Sequence, residues 1–220
     1  MHNLLGMLRN LLYPSRCIFC DAQLTGTGNL LCCASCETKL TQIGYSHTRL
    51  DMLSVSWSIY DDTIRKAIIR FKFHHRPQYA YTFAYLMTKA LVNLCEFDAV
   101  TWAPTSRLRK WKRGYDQSEE LAKELSKRLD LPLVKGLYKI KHTKKQSGLS
   151  ASEREKNVRG KYRADERTVC GRNFLVVDDV YTTGATMSAC METLLNAGAA
   201  SCIGITIART QNGRNKRYKK

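Results

Sequence analysis

Apolar and polar residues change rhythm several times along this chain of 220 residues, and each change marks an element. MLSVSWSIY (52–60) alternates with the period of a strand that turns one face inward. DDTIRKAIIRFKF (61–73) then places Ile64, Ala67, Ile68 and Phe71 on one helical face. YAYTFAYLMTKALVNL (79–94) is apolar on most sides and reads as a buried helix. FDAVTWAP (97–104), a short apolar run closed by proline, predicts a buried parallel strand. In DQSEELAKELSKRL (116–129), Leu121, Ala122, Leu125 and Leu129 form the inner face, with Asp116 or Ser118 as the cap. LPLVKGLYKI (131–140) reads as another strand.

RNFLVVDD (172–179) is the clearest buried strand. ATMSACMETLLNAG (185–198) predicts a helix with Met187, Cys190, Met191 and Leu194 inward and Gly198 at its stop. CIGITIA (202–208) follows as a strand. Strand, helix and strand in this order make a right-handed βαβ unit, so the expected fold class is α/β, a parallel sheet flanked by helices. Between the predicted strands at 131–140 and 172–179 lies KHTKKQSGLSASEREKNVRGKY, polar, basic and nearly free of large apolar side chains. A stretch of that kind inside a compact domain is usually functional or mobile.

Composition narrows the class. With 44% hydrophobic and 25% charged residues the chain is globular. No run approaches the ~18 apolar residues that cross a bilayer. The N-terminal MHNLLGMLRNLLYP spaces its leucines helically but lacks a signal peptide's apolar core and cleavage site. It reads as a short helix packed on the body, with a membrane contact as the alternative. No membrane span and a cytoplasmic location are expected. The net charge of +17 attracts polyanions, either nucleic acid or a polyphosphorylated metabolite. Basic residues crowd Arg107 to Arg113, Lys135 to Arg163 and the tail NGRNKRYKK, where a solvated end is the simpler reading. His74 and His75 read as a surface turn.

Of nine cysteines, five fall between Cys17 and Cys36, as CIFC, twelve residues, then CASC. Two C-x-x-C knuckles present four thiolates at the corners of a tetrahedron, the geometry Zn²⁺ prefers. The expected ligands are Cys17, Cys20, Cys33 and Cys36, with Cys32 as the alternative third ligand. Reduced free thiols are the plainer alternative. Four protein ligands leave no place for an activated water, so the zinc is expected to be structural. Residues 1–45 are accordingly expected to form a small zinc-binding domain built on these four cysteines, and 46–220 the α/β domain.

VVDDVYTTGAT (176–186) joins a strand to a helix, where parallel sheets bind ligands. The amides of Thr182, Thr183, Gly184, Ala185 and Thr186 are expected at a helix N-terminus that favours phosphate, with Gly184 sparing a Cβ clash. Asp178 and Asp179 suit sugar hydroxyls and a hydrated Mg²⁺. Together they describe a site for a ribose 5-phosphate.

This stretch resembles the signature of type I phosphoribosyltransferases that bind 5-phosphoribosyl 1-pyrophosphate (PRPP). With the four-cysteine ribbon, WAPTSRLRKWKRGYDQSEELA (102–122) and QSGLSASEREKN (146–157), the chain is similar from Cys17 to Arg209 to the ComF family. That resemblance implies a phosphoribosyltransferase-like domain and PRPP binding with Mg²⁺. It further implies a part in natural transformation, with single-stranded DNA and a DNA-translocating helicase of the ComFA type as partners. It places a pyrophosphate loop at Thr105, Ser106 and Arg107, with Arg113 and Gln117 behind it. Arg109, Lys110 and Lys112 fit either that loop or a solvated basic face. A flexible hood is implied at Lys144, Lys145, Gln146, Arg154 and Asn157, closing to exclude water. No nucleophile–base pair stands out, so no catalytic residue is assigned. A phosphoribosyltransferase active on a nucleobase or other small acceptor is the alternative function.

Overall fold

The computed structural model describes residues 15–24, 28–48, 52–92, 94, 96–140 and 161–211; the N-terminal leucine repeat, the hood residues and the basic tail lie outside them. Chain order gives α1 (Ala34–Leu40), β1 (Gly44–His47), β2 (Leu53–Ile59), α2 (Asp62–Phe73), α3 (Tyr79–Thr88), β3 (Ala99–Trp102) and α4 (Arg107–Arg113). There follow α5 (Gln117–Leu129), β4 (Tyr138–Lys139), β5 (Tyr162–Arg163), α6 (Glu166–Val169), β6 (Asn173–Tyr181), α7 (Ala185–Asn196) and β7 (Ser201–Arg209). Five strands form one sheet in the order β1-β2-β7-β6-β3, while β4 and β5 pair separately. The strands β2, β7, β6 and β3 run parallel, and β1 closes one edge antiparallel. The α/β class read from the hydrophobic pattern is therefore the observed one.

Alternation along β6 builds both faces of the core. Leu175 and Val177 join Ile64, Phe71, Phe83 and Leu121 from α2, α3 and α5. Phe174 and Val176 join Met187, Cys190, Met191 and Leu194 from α7 on the other side. Local caps set the helix starts: Asp61 Oδ1 accepts from the Ile64 amide at 2.8 Å, and Asp116 Oδ1 from the Ser118 amide at 3.2 Å.

The cysteine segment is stitched into this core. Phe19 packs on Trp57 and Phe83, with ring centroids 5.9 and 6.0 Å apart. The Leu31 amide donates to Thr82 Oγ1 at 2.8 Å, and Arg70 Nη1 to the Ile18 carbonyl at 3.2 Å.

Three segments depart from the sequence pattern. LPLVKGLYKI does not join the sheet as a strand: Leu133 makes a single bridge to Val100, and only Tyr138–Lys139 is extended, in the separate ribbon. Pro132 offers no amide to a ladder, and Gly136 is wedged against Leu194 and Thr101, where a Cβ would lie 3.2 and 3.3 Å away. The helix at 79–94 ends at Thr88, where the amides of Lys89 and Ala90 turn back to the carbonyls of Leu86 and Met87. Residues 107–113, expected as loop, wind into α4, which Ser106 caps and which buries no side chain.

Candidate functional site

Pairing between β3 and β6 ends at Trp102 and Val177, but β6 continues beside β7 to Tyr181 and Arg209. Asp178 and Asp179 therefore emerge where one side of the strand has opened. Asp178 Oδ1 accepts from the Ser118 hydroxyl and from the Asp179 amide, each at 2.8 Å. Lys72 Nζ reaches Asp179 Oδ2 at 2.7 Å, and both side chains are largely shielded from solvent. Burial, and then the charge of Asp179, push the Asp178 carboxyl up to about 7. Two adjoining acids thus share one close ammonium. Further donors, whether hydroxyls or a hydrated divalent cation, would relieve the excess negative charge.

Thr182, Thr183, Ala185 and Thr186 are exposed around the loop, and Gly184 is buried at its centre. Gly184 caps α7 with φ +75°, a left-handed conformation, and α7 receives no side-chain cap. Of the amides expected to be free, that of Ala185 finds Thr183 Oγ1 at 3.4 Å. A Cβ at Gly184 would strike the hydroxyl and ring of Tyr181, so the glycine makes room for Tyr181. The Tyr181 hydroxyl donates to the His47 carbonyl at 3.2 Å. The space left among Asp178, Tyr181, Thr182, Gly184, Thr186 and Thr206 is about 10 Å³, room for one water. The outer face of the loop is lined by Thr182, Thr183 and Thr186.

Across the open edge stands the second group of predicted residues. The buried Asp116 accepts from the Thr105 amide at 2.8 Å and so pins the 103–106 turn to the start of α5. Burial holds the Asp116 carboxyl above its usual range. Arg113 Nη1 donates to Gln117 Oε1 at 2.6 Å, which joins two of the expected side chains to each other. Lys110 bonds Glu119 at 2.7 Å. A cleft of about 750 Å³ opens here, with Thr105, Ser106, Arg107 and Lys110 on one wall and Tyr138, Lys139 and Arg163 on the other.

Sequence reasoning missed several of these groups. Ser118 entered only as a possible cap, and Lys72 sits beside Phe71 with nothing in the sequence to link it to Asp179. Lys139 on β4 was also missed. Burial first, then the neighbouring positive charges of Arg109 and Lys161, hold its ammonium below the usual lysine range. Arg109 and Lys161 thus stand close enough to Lys139 for their charges to repel, with Asp178 as an opposing neighbour.

The cysteines assemble as their spacing predicts. The thiols of Cys17, Cys20, Cys33 and Cys36 all lie within 4.8 Å of one another. Cys32 is turned away into the core and donates to the Cys33 carbonyl at 3.4 Å, so Cys33 is the third member of the cluster. Burial alone would push the Cys17 thiol up, but amides of Cys20, Cys33 and Phe19 outweigh it and bring it down to about 7. Cys20 and Cys36 are shifted the other way, upward, so it is the close set of four sulfur donors that fits a soft or borderline divalent metal.

Among the described residues no helix is long and apolar enough to cross a membrane. The phosphoribosyl transferase domain family matches residues 116–220. Competence protein F of Haemophilus influenzae is 29% identical over 210 residues, covering 83% of this chain and 92% of that protein. DNA utilization protein YhgH of Salmonella typhi is 30% identical over 163 residues, 71% of each chain. Competence protein ComFC of Bacillus subtilis is 28% identical over 181 residues, 81% of this chain and 72% of that one.

Proposed function

Since this chain belongs to the ComF family of phosphoribosyltransferase-like proteins, we propose that it is a cytoplasmic PRPP-binding protein acting in DNA uptake during natural transformation. The observation that carries the reading is the juxtaposition at the open edge of β6. A carboxylate pair with one close ammonium, a helix start without a side-chain cap and the cations around Lys139 lie about that edge, and together they suit the parts of one phosphorylated sugar.

PRPP matches that sequence of groups. Its 5-phosphate meets the outer face of Thr182, Thr183, Gly184, Ala185 and Thr186, where the amides and partial positive charge of α7 favour an anion. Asp178 and Asp179 accept the hydrogen bonds of the ribose diol. The pyrophosphate turns toward Thr105, Ser106, Arg107, Arg109 and Lys139, with Arg113 and Gln117 bracing the turn. Mg²⁺, held by its waters near the two aspartates, would lower the charge of the pyrophosphate. Zn²⁺ on Cys17, Cys20, Cys33 and Cys36 has a structural role in this reading, because all four ligands are protein thiols.

Residues 1–45 form the metal-binding part and 46–220 the PRPP-binding part. The net charge of +17 suits single-stranded DNA as a macromolecular partner, brought by a DNA-translocating helicase of the ComFA type. Incubation with labelled PRPP, Mg²⁺ and a panel of bases and oligonucleotides tests this reading. Retained, unhydrolysed PRPP is expected. Pyrophosphate release dependent on one acceptor would replace the binding role with a transferase.

A further inference from the structure

The helix α4 has the sequence RLRKWKR, with five cations in seven positions, and buries none of its side chains. Such a segment gains nothing from core packing, so its apolar members need another account. Trp111 is 80% exposed, the highest value among the exposed large hydrophobic residues, and Leu108 beside it is 51% exposed. An indole left in water costs hydrophobic free energy that a contact would recover. Arg113 shows how aromatic groups are used nearby: its guanidinium lies over the Phe73 ring at 4.8 Å. Among the described residues only Lys110 of the five helix cations pairs with a carboxylate, Glu119.

The wall of the cleft that faces α4 repeats the combination. Tyr138 is exposed on β4, with Lys135 at 5.1 Å and Arg163 at 5.8 Å from its ring centroid. Arg107 and Lys110 of α4 share the lining of the 750 Å³ cleft with Tyr138, so helix and ribbon bound one groove; its two carboxylates are engaged, Asp116 by the Thr105 amide and Glu119 by Lys110. Cations at a groove with Tyr138 on one wall, and with the exposed Trp111 on the helix that forms the other, match a strand whose phosphates run along the groove and whose bases turn outward to stack. A duplex keeps its bases stacked inside and offers no such faces.

We propose that α4 and the facing β4–β5 ribbon form a track for single-stranded nucleic acid, with Trp111 and Tyr138 as base-stacking residues. The inference deepens the DNA-uptake reading above and rests on it. It names the surface, which that reading leaves open.

Trp111 is the exposed indole, whereas Trp57 and Trp102 are buried; Trp102 lines the cleft, so W111F, which keeps both, isolates the Trp111 signal. The full-length, zinc-loaded protein is titrated with oligo(dT) while acrylamide quenching and anisotropy are followed. The oligonucleotide is expected to shield Trp111 from acrylamide. W111A is expected to weaken binding about ten-fold, in the range of one lost stack, with an unchanged salt slope, because stacking releases no counterions. W111F is expected to recover most of the affinity, and K112M to lower the salt slope by about one. An unchanged melting temperature in W111A, expected from the lack of buried side chains on α4, keeps the comparison clean. Oligonucleotide binding that is equal in wild type and W111A would overturn the track while leaving DNA binding intact. Shielding of Trp111 by anionic vesicles but not by oligo(dT) would assign this face to a membrane and overturn the track as well. Absence of any oligonucleotide binding by the wild type would overturn both readings.

Discussion

Lys72 on α2 reaches across to Asp179 on β6, Nζ to Oδ2 at 2.7 Å, and is the close ammonium of a two-carboxylate site. Replacing it with methionine leaves the acidic pair uncompensated. We expect K72M to lose about 1–3 kcal/mol of stability in denaturant titration, because one partner of a shielded pair is removed. Ligand-bound Mg²⁺ is expected to restore part of that loss.

Asp178 gives the site a pH signature. Its pKa in the folded chain is raised to about 7, first by burial and then by Asp179, so the native state binds a proton that the unfolded chain has already released. By linkage the contribution of this group to stability falls as pH rises from about 4 to about 7 and is level above that. The melting temperature of D178N should therefore exceed that of the wild type at pH 8, and the difference should shrink towards pH 5. A difference independent of pH would remove Asp178 as its source.

Gly184 and Tyr181 form a coupled pair. G184A places a Cβ on a left-handed residue and against the Tyr181 ring. The backbone cost is about 1–2 kcal/mol and the overpacking cost about 1–3 kcal/mol. Y181A should rescue the overpacking part only, and a double-mutant cycle measures it as a coupling energy. Additive effects would mean that the two residues do not touch.

Zinc analysis separates the five clustered cysteines. C36S is expected to lose the metal, while C32S keeps it and loses stability through its buried position. Chelation should also release Phe19 from Trp57, read as a change in the emission of that buried indole.

Arg109 and Lys139 should discriminate between ligands. R109M and K139M are each expected to weaken PRPP about ten-fold, in keeping with loss of a charged hydrogen bond, while ribose 5-phosphate binding stays within two-fold or so. Equal losses for both ligands would move the cationic cluster off the pyrophosphate.

The parts of the fold that were legible in sequence are those governed by short periods. β6, α7 and β7 follow one another with apolar positions spaced by two and by 3.6, and the structure keeps that order. The four thiols were legible because metal geometry constrains chain spacing. What stayed hidden was long-range. Ser118 meets Asp178 across sixty residues, and nothing local to either predicts the bond. α4 was hidden because its pattern is uniformly basic and carries no buried face. The 131–140 run was misread because its apolar residues fill gaps beside β3 instead of extending the sheet.

The most direct test is calorimetric titration of PRPP with Mg²⁺ into the zinc-loaded wild type and into a variant carrying D178A and D179A. One saturating site in the wild type, and no measurable heat in a variant that keeps its zinc and its circular dichroism, is the predicted result. A wild type that takes up no PRPP, or a double variant that binds it with undiminished affinity, would contradict the account.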